Sequence, residues 1–174
     1  MHRLAVGILA LALLVGGGSA GAGTPSQTFP LYWVGERVED LPLAAVLRRD
    51  DTARYVSFVY GDCKASADMG CAPPAEIQVW PSCLRSLALY DDPRSSAGSL
   101  ERITVRGVPA VVLDDGTRLE LETEGSTIVV FAGTRGGALR IAAALRALDD
   151  SVAPGRPLPE RREGGAQEEG VQGC

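Results

Sequence analysis

Cys63, Cys71 and Cys83 fall within 21 residues of one another, and Cys174 stands far beyond them. Thiolates attack electrophiles, ligate soft metals and join as disulfides, so side-chain chemistry concentrates in this stretch. Metal binding fits poorly, because the C-x7-C-x11-C spacing lacks the close C-x2-4-C pairs of structural zinc sites. Thiol-redox catalysis fits little better. A thioredoxin-type site needs C-x-x-C at a helix N-terminus; Cys83 is expected in the first turn of a helix opened by Pro81, but no cysteine lies three residues away. Asp62 beside Cys63 disfavours a thiolate there.

A structural disulfide is the simpler reading. Four cysteines allow three connectivities. Cys63–Cys71 is the expected pair, closing the seven-residue loop KASADMG, which is too polar to be held by packing. Closing such a loop stabilises by about 2.5 kcal/mol in the chain-entropy model. Cys83 is then either buried and free or paired with Cys174.

Other candidate groups point to structure as readily as to chemistry. The single histidine is His2, inside a leader-like N-terminus, so the exported chain has no imidazole for a Ser-His-Asp or Cys-His system. Glu120, Glu122 and Glu124 recur at period two. Such a row could bind a cation or a basic partner, but it is expected to be the solvated face of a strand with Leu119, Leu121 and Thr123 inside. Asp114-Asp115 and Asp149-Asp150 read as turn and helix-end residues and lack calcium-loop spacing. Trp33, Tyr60 and Trp80 could line a ligand groove. Their place inside strands makes core packing the stronger expectation. No catalytic residue, metal or cofactor is assigned.

The ends set the compartment. His2 and Arg3, the apolar run Leu4–Val15 and the small-residue tract with Ala20-Gly21-Ala22 form a secretory signal peptide over residues 1–22. The apolar run is too short for a membrane span, which needs about 20 residues, so the mature chain is expected to carry no transmembrane segment. The whole chain has 17 basic and 22 acidic residues, and loss of Arg3 takes its formal charge from −5 to about −6. That balance excludes an electrostatic case for nucleic acid or an anionic membrane surface. One lysine and no asparagine are the usage of a GC-rich genome, and the missing asparagine rules out N-linked glycosylation. Residues 151–174 are rich in Pro, Gly, Glu and Arg and are expected to be a disordered tail. Residues 26–150 are expected to form one domain.

Within it, Thr28–Val34, Arg54–Tyr60 and Glu76–Trp80 read as strands, while Leu43–Arg48 after Pro42 reads as a short helix. Pro81–Tyr90 suggests a second helix, with Leu84, Leu87 and Ala88 on one face. Then follow Ile103–Val105, Pro109–Leu113, Arg118–Thr123 and Thr127–Ala132, separated by turn signals at Arg106-Gly107, Asp115-Gly116 and Glu124-Gly125. Leu139, Ile141, Ala142, Leu145 and Leu148 space a helix over 138–148. The expected class is α+β: a mainly antiparallel sheet of five to seven strands, ending in a β-meander, covered by two to three helices.

The segments Phe58-Val59-Tyr60-Gly61-Asp62-Cys63, Gly70-Cys71-Ala72-Pro73-Pro74, Trp80-Pro81-Ser82-Cys83 and Arg106-Gly107-Val108-Pro109-Ala110 resemble small uncharacterised exported proteins and lipoproteins of high-GC Gram-positive (actinobacterial) bacteria. The resemblance implies an extracytoplasmic location and no known activity. Unlike the lipoprotein members, this chain lacks a lipobox cysteine. The expected function is therefore a secreted or envelope-associated, non-catalytic domain that binds an extracytoplasmic protein or small ligand. The rival is an extracytoplasmic enzyme or thiol-redox protein using Cys63 or Cys83.

Overall fold

Period-two alternation and tight turns dictate most of the architecture. The computed structural model describes residues 29–49, 53–62, 72–92 and 100–161. Its strands are β1 (Tyr32–Trp33), β2 (Arg37–Val38), β3 (Leu41–Arg48), β4 (Val56–Tyr60), β5 (Ala75–Pro81), β6 (Glu101–Val105), β7 (Val108–Leu113), β8 (Arg118–Glu122) and β9 (Ser126–Ala132). Helix α1 (Arg135–Ala144) and the short β10 (Arg146–Ala147) follow. Eight strands form one antiparallel sheet in the order β2-β3-β4-β5-β9-β8-β7-β6, and β1 pairs with β10 apart from it. The sheet is thus two meanders joined where β5 meets β9, with Ile77 opposite Val130 and Val79 opposite Ile128.

The second meander is locally encoded. Arg106 and Gly107 join β6 to β7 with φ of 52° and 87°, the left-handed pair that matches the twist of a two-residue hairpin. Asp114 to Gly116 and Glu124-Gly125 make the next two reversals. One sheet face buries Phe58, Ile77, Val79, Leu119, Leu121, Ile128 and Val130 beneath α1. Helix α1 begins at Thr134, whose side chain accepts a hydrogen bond from the Gly137 amide. It contributes Ala138, Ile141 and Ala142 to the core. Arg106 reaches across to the other end of α1 and donates to the carbonyls of Ala142 and Leu145, satisfying acceptors that a helix end leaves open.

The expected class holds as a mainly antiparallel sheet with helical cover, but several details are corrected. Among the described residues there is one α-helix, not two or three, and the main sheet has eight strands, not five to seven. Leu43–Arg48 is strand, because pairing with β4, from Leu43 opposite Tyr60 to Arg48 opposite Val56, outweighs the helix-start signal of Pro42. Pro81–Tyr90 is a turn followed by one 3-10 turn, Leu87–Tyr90, rather than a helix. Leu87 turns onto Val111 and Leu113, while Leu84 and Leu89 stay exposed. Helix α1 stops at Ala144, where Leu145 takes ψ of 139° and the chain enters β10. Packing also continues past residue 150: Val152 and Leu158 are buried in the main core. The Leu158 amide donates to the Arg106 carbonyl. Residues 1–28, with the expected signal peptide, and 162–174 lie outside the described residues.

Candidate functional site

The connection that follows β5, described over residues 82–92, lies on the sheet face opposite α1. It delivers Arg85, Ser86 and Tyr90 to a polar strip whose side chains come from alternating positions of β4, β5, β8 and β9. Glu120 is the centre. Flanked across the sheet by Val129 and Val111, it is fully buried. Arg85 Nε donates to its Oε2 at 2.9 Å, Arg85 Nη2 donates to its Oε1, and the Tyr90 hydroxyl donates to Oε1 at 2.8 Å. This is a two-pronged guanidinium–carboxylate pair with a third donor.

Each neighbour is pinned in turn. The Arg85 carbonyl accepts from Thr127 Oγ1, and the Arg85 guanidinium lies 5.3 Å from the centre of the Trp80 ring. Trp80 stacks on Tyr55 with ring centres 4.3 Å apart. Its indole N–H donates to Gln78, Gln78 donates to Glu76, and Ser57 donates to the same Glu76 oxygen. Beside this, Glu122 accepts from Ser86 and pairs with Arg161. Burial pulls the Arg85 pKa down, but its hydrogen bond and charge pairing with Glu120 outweigh that and leave it raised. Burial, then the hydrogen bond to Glu120, pushes the Tyr90 hydroxyl up. The arrangement holds charge in fixed internal pairs, and it braces the crossover against the sheet.

The carboxylate row is therefore corrected at its first member. Glu120 is covered by the crossover, Glu122 is half-buried beneath Ser86 and Arg161, and Glu124 is exposed. Leu119, Leu121 and Thr123 are buried, as alternation implies. Alternation separates two faces but does not reveal that both are covered. The available clue was Arg85, a cation among the apolar residues Leu84, Leu87 and Leu89 of a long crossover, and only the topology sets it against Glu120.

The three aromatic candidates divide between faces. Trp80 belongs to the strip just described, whereas Tyr60 and Trp33 lie on the α1 side. Tyr60 is fully buried and donates to the Gly35 carbonyl at 3.0 Å. Desolvation pushes its pKa up to about 12. Trp33 is half-buried against Phe58, and Arg146 lies 5.3 Å from its ring centre.

Cys83 is neither helical nor buried: it sits exposed in the turn after β5 and is held in a disulfide. The other three cysteines, Cys63, Cys71 and Cys174, one of which is its partner, lie outside the described residues. Among the described residues no group of three His, Cys, Asp or Glu side chains gathers to hold a metal, and no helix is long and apolar enough to cross a membrane. No family model, curated protein or solved structure matches the chain. The class is thus defined by the fold alone, as an antiparallel sheet of two joined meanders with one covering helix.

Proposed function

We propose that this is an exported, non-catalytic binding domain that takes a protein partner along the outer edge of β3. The observation that carries the reading is that edge. β3 runs for eight residues, yet β2 pairs only with its first two, Leu41 and Pro42. Among the described residues no strand pairs with β3 beyond Pro42 on that side, and Val46 and Leu47 beside it are 55% and 41% exposed. Native sheets normally shield such edges, and an open apolar edge strand is a template for an added strand from a partner. The inward-paired state of Arg85, Tyr90 and Glu120 supports a non-catalytic role, since these groups are committed to one another. The leader-like N-terminus supports export, and a Cys63–Cys71 disulfide suits that compartment. The rival thiol-redox reading draws no support from Cys83, whose sulfur is already in a disulfide.

The test is a photoreactive residue in place of Leu47 in the exported chain, with the same substitution at exposed Leu148 as control. A discrete adduct from Leu47 alone, lost when Val46 is changed to Glu, supports the reading. Equal labelling at both positions, or turnover on a panel of extracellular substrates, overturns it.

A further inference from the structure

Strand β10 sets Arg146 opposite Trp33, its register partner in β1. The guanidinium lies on the Trp33 ring on one side and on Gly35 on the other. A Cβ at Gly35 would stand 2.0 Å from Arg146 Nη2, and Gly35 holds φ of 95°. Both the missing side chain and the left-handed backbone therefore make room for this cation.

Nothing internal uses it. Among the described residues no group accepts a hydrogen bond from the Arg146 guanidinium or forms an ion pair with it, and its Nε is sealed from solvent without a partner. Buried donors are normally satisfied, and an orphan calls for an explanation. An arginine resting on a surface tryptophan ordinarily turns its donors to water. Here one donor is shut in while the Nη atoms stay neither bonded nor sealed. Tyr60 lies below, its hydroxyl committed to the Gly35 carbonyl, and Arg146 is the one cation whose charge reaches it. The spot is a single fixed positive charge on a chain of net negative charge, framed by an indole.

We propose that Arg146 and Trp33 form a binding site for a small monocarboxylate with an apolar body. The Nη edge takes the carboxylate, and the exposed part of the Trp33 ring takes the body. A guanidinium pairs with carboxylate and phosphate alike, and the indole beside it favours a ligand whose charge is carried on an apolar body. This inference goes beyond the β3-edge reading and does not depend on it.

The test uses the full chain, isotope-labelled, whose two tryptophans give two indole N–H resonances. Phenylacetate is expected to move the Trp33 resonance saturably at millimolar concentrations while Trp80 stays in place. Phenylacetamide, the same body without the charge, is expected to move neither. Arg146→Gln weakens phenylacetate binding about tenfold or more, and Arg146→Lys weakens it less. A dipeptide ending in a free phenylalanine carboxylate forms a second arm. Tighter binding than phenylacetate assigns the site to peptide C-termini, and weaker binding assigns it to free acids. No saturation by about 10 mM, an equal response to the amide or to inorganic phosphate, or unchanged binding in both variants overturns the proposal. The Trp80 resonance reports folding in each variant, so if Arg146→Gln unfolds, Arg146→Lys carries the comparison. Failure here leaves the Leu47 cross-linking result to decide the β3 edge by itself.

Discussion

Arg85 and Glu120, 35 residues apart in sequence, meet through two donors on two carboxylate oxygens, with the carboxylate fully buried and the guanidinium partly exposed. The pair fastens the β5–β6 crossover to the middle of the sheet. It acts beside the Leu87 cluster with Val111 and Leu113, the Ser86–Glu122 hydrogen bond and the bond from Thr127 to the Arg85 carbonyl.

Glu120→Leu should therefore cost about 2 to 4 kcal/mol, because it leaves Arg85 and Tyr90 facing an apolar wall with their shared acceptor gone. Adding Arg85→Met should recover at least half of the loss, since two apolar groups of similar shape can replace a buried ion pair at little cost. Urea unfolding of both variants checks this. Equal stability of the single variant and the parent would mean the pair contributes nothing.

Arg106 predicts a different loss. Its guanidinium donates to the carbonyls of Ala142, Leu145, Ala153 and Arg156, closing the end of α1 and gathering the segment that follows. Lysine keeps the charge but cannot reach four carbonyls with a planar fork. Arg106→Lys should lower stability by about 1 to 2 kcal/mol. It should also speed hydrogen exchange at the Leu145 and Gly155 amides, which bond to Ala142 and Ala143. Unchanged exchange there would show that α1 ends without its help.

How much of this was legible depended on the range of the signal. The hairpins at Arg106-Gly107 and Glu124-Gly125 each carry a glycine at positive φ, 87° and 79°, so the second meander reads directly. β3 does not, because LAAVLR after Pro42 suits a helix locally, and only its pairing with β4 decides otherwise. Glu120 misleads for the same reason: its alternation is right, but the cover over its face comes from a residue 35 positions earlier. Leu158 sits among prolines in a stretch whose composition reads as unstructured, yet one apolar side chain and one backbone bond to Arg106 hold it to the core. Of the candidate site, Trp33, Tyr60 and Trp80 were visible as residue types. Their division between two faces, and the approach of Arg146 to Trp33, required the register.

Gly35 is the position where a methyl group should do most damage near that arginine. Alanine would meet Arg146 Nη2 and would also carry a side chain at φ of 95°. The backbone strain alone is worth about 1 to 3 kcal/mol. Gly35→Ala should lower the Tm by several degrees and shift the Trp33 indole resonance more than that of Trp80, as the guanidinium is driven off the ring. A Tm within about a degree of the parent would show that Arg146 yields freely.

Tyr60 makes the fold sensitive to alkali. Its hydroxyl is buried by desolvating neighbours, and its pKa rises from 10.0 to about 12. An unfolded chain releases that proton near its ordinary value, so the folded state holds it more tightly. The resulting stabilisation is fully present below pH 10 and disappears as pH climbs towards about 12. Tyr60→Phe removes this contribution together with the hydrogen bond to the Gly35 carbonyl, at about 1 kcal/mol near neutral pH. The measurement is urea unfolding at several pH values between neutrality and pH 12, with phenolate absorbance followed in parallel. The parent should lose stability more steeply than the Phe variant across the alkaline half of that range, and the two curves should converge at its upper end. Parallel curves, or a Tyr60 phenolate that forms near pH 10, would mean that the hydroxyl reaches solvent in the folded protein.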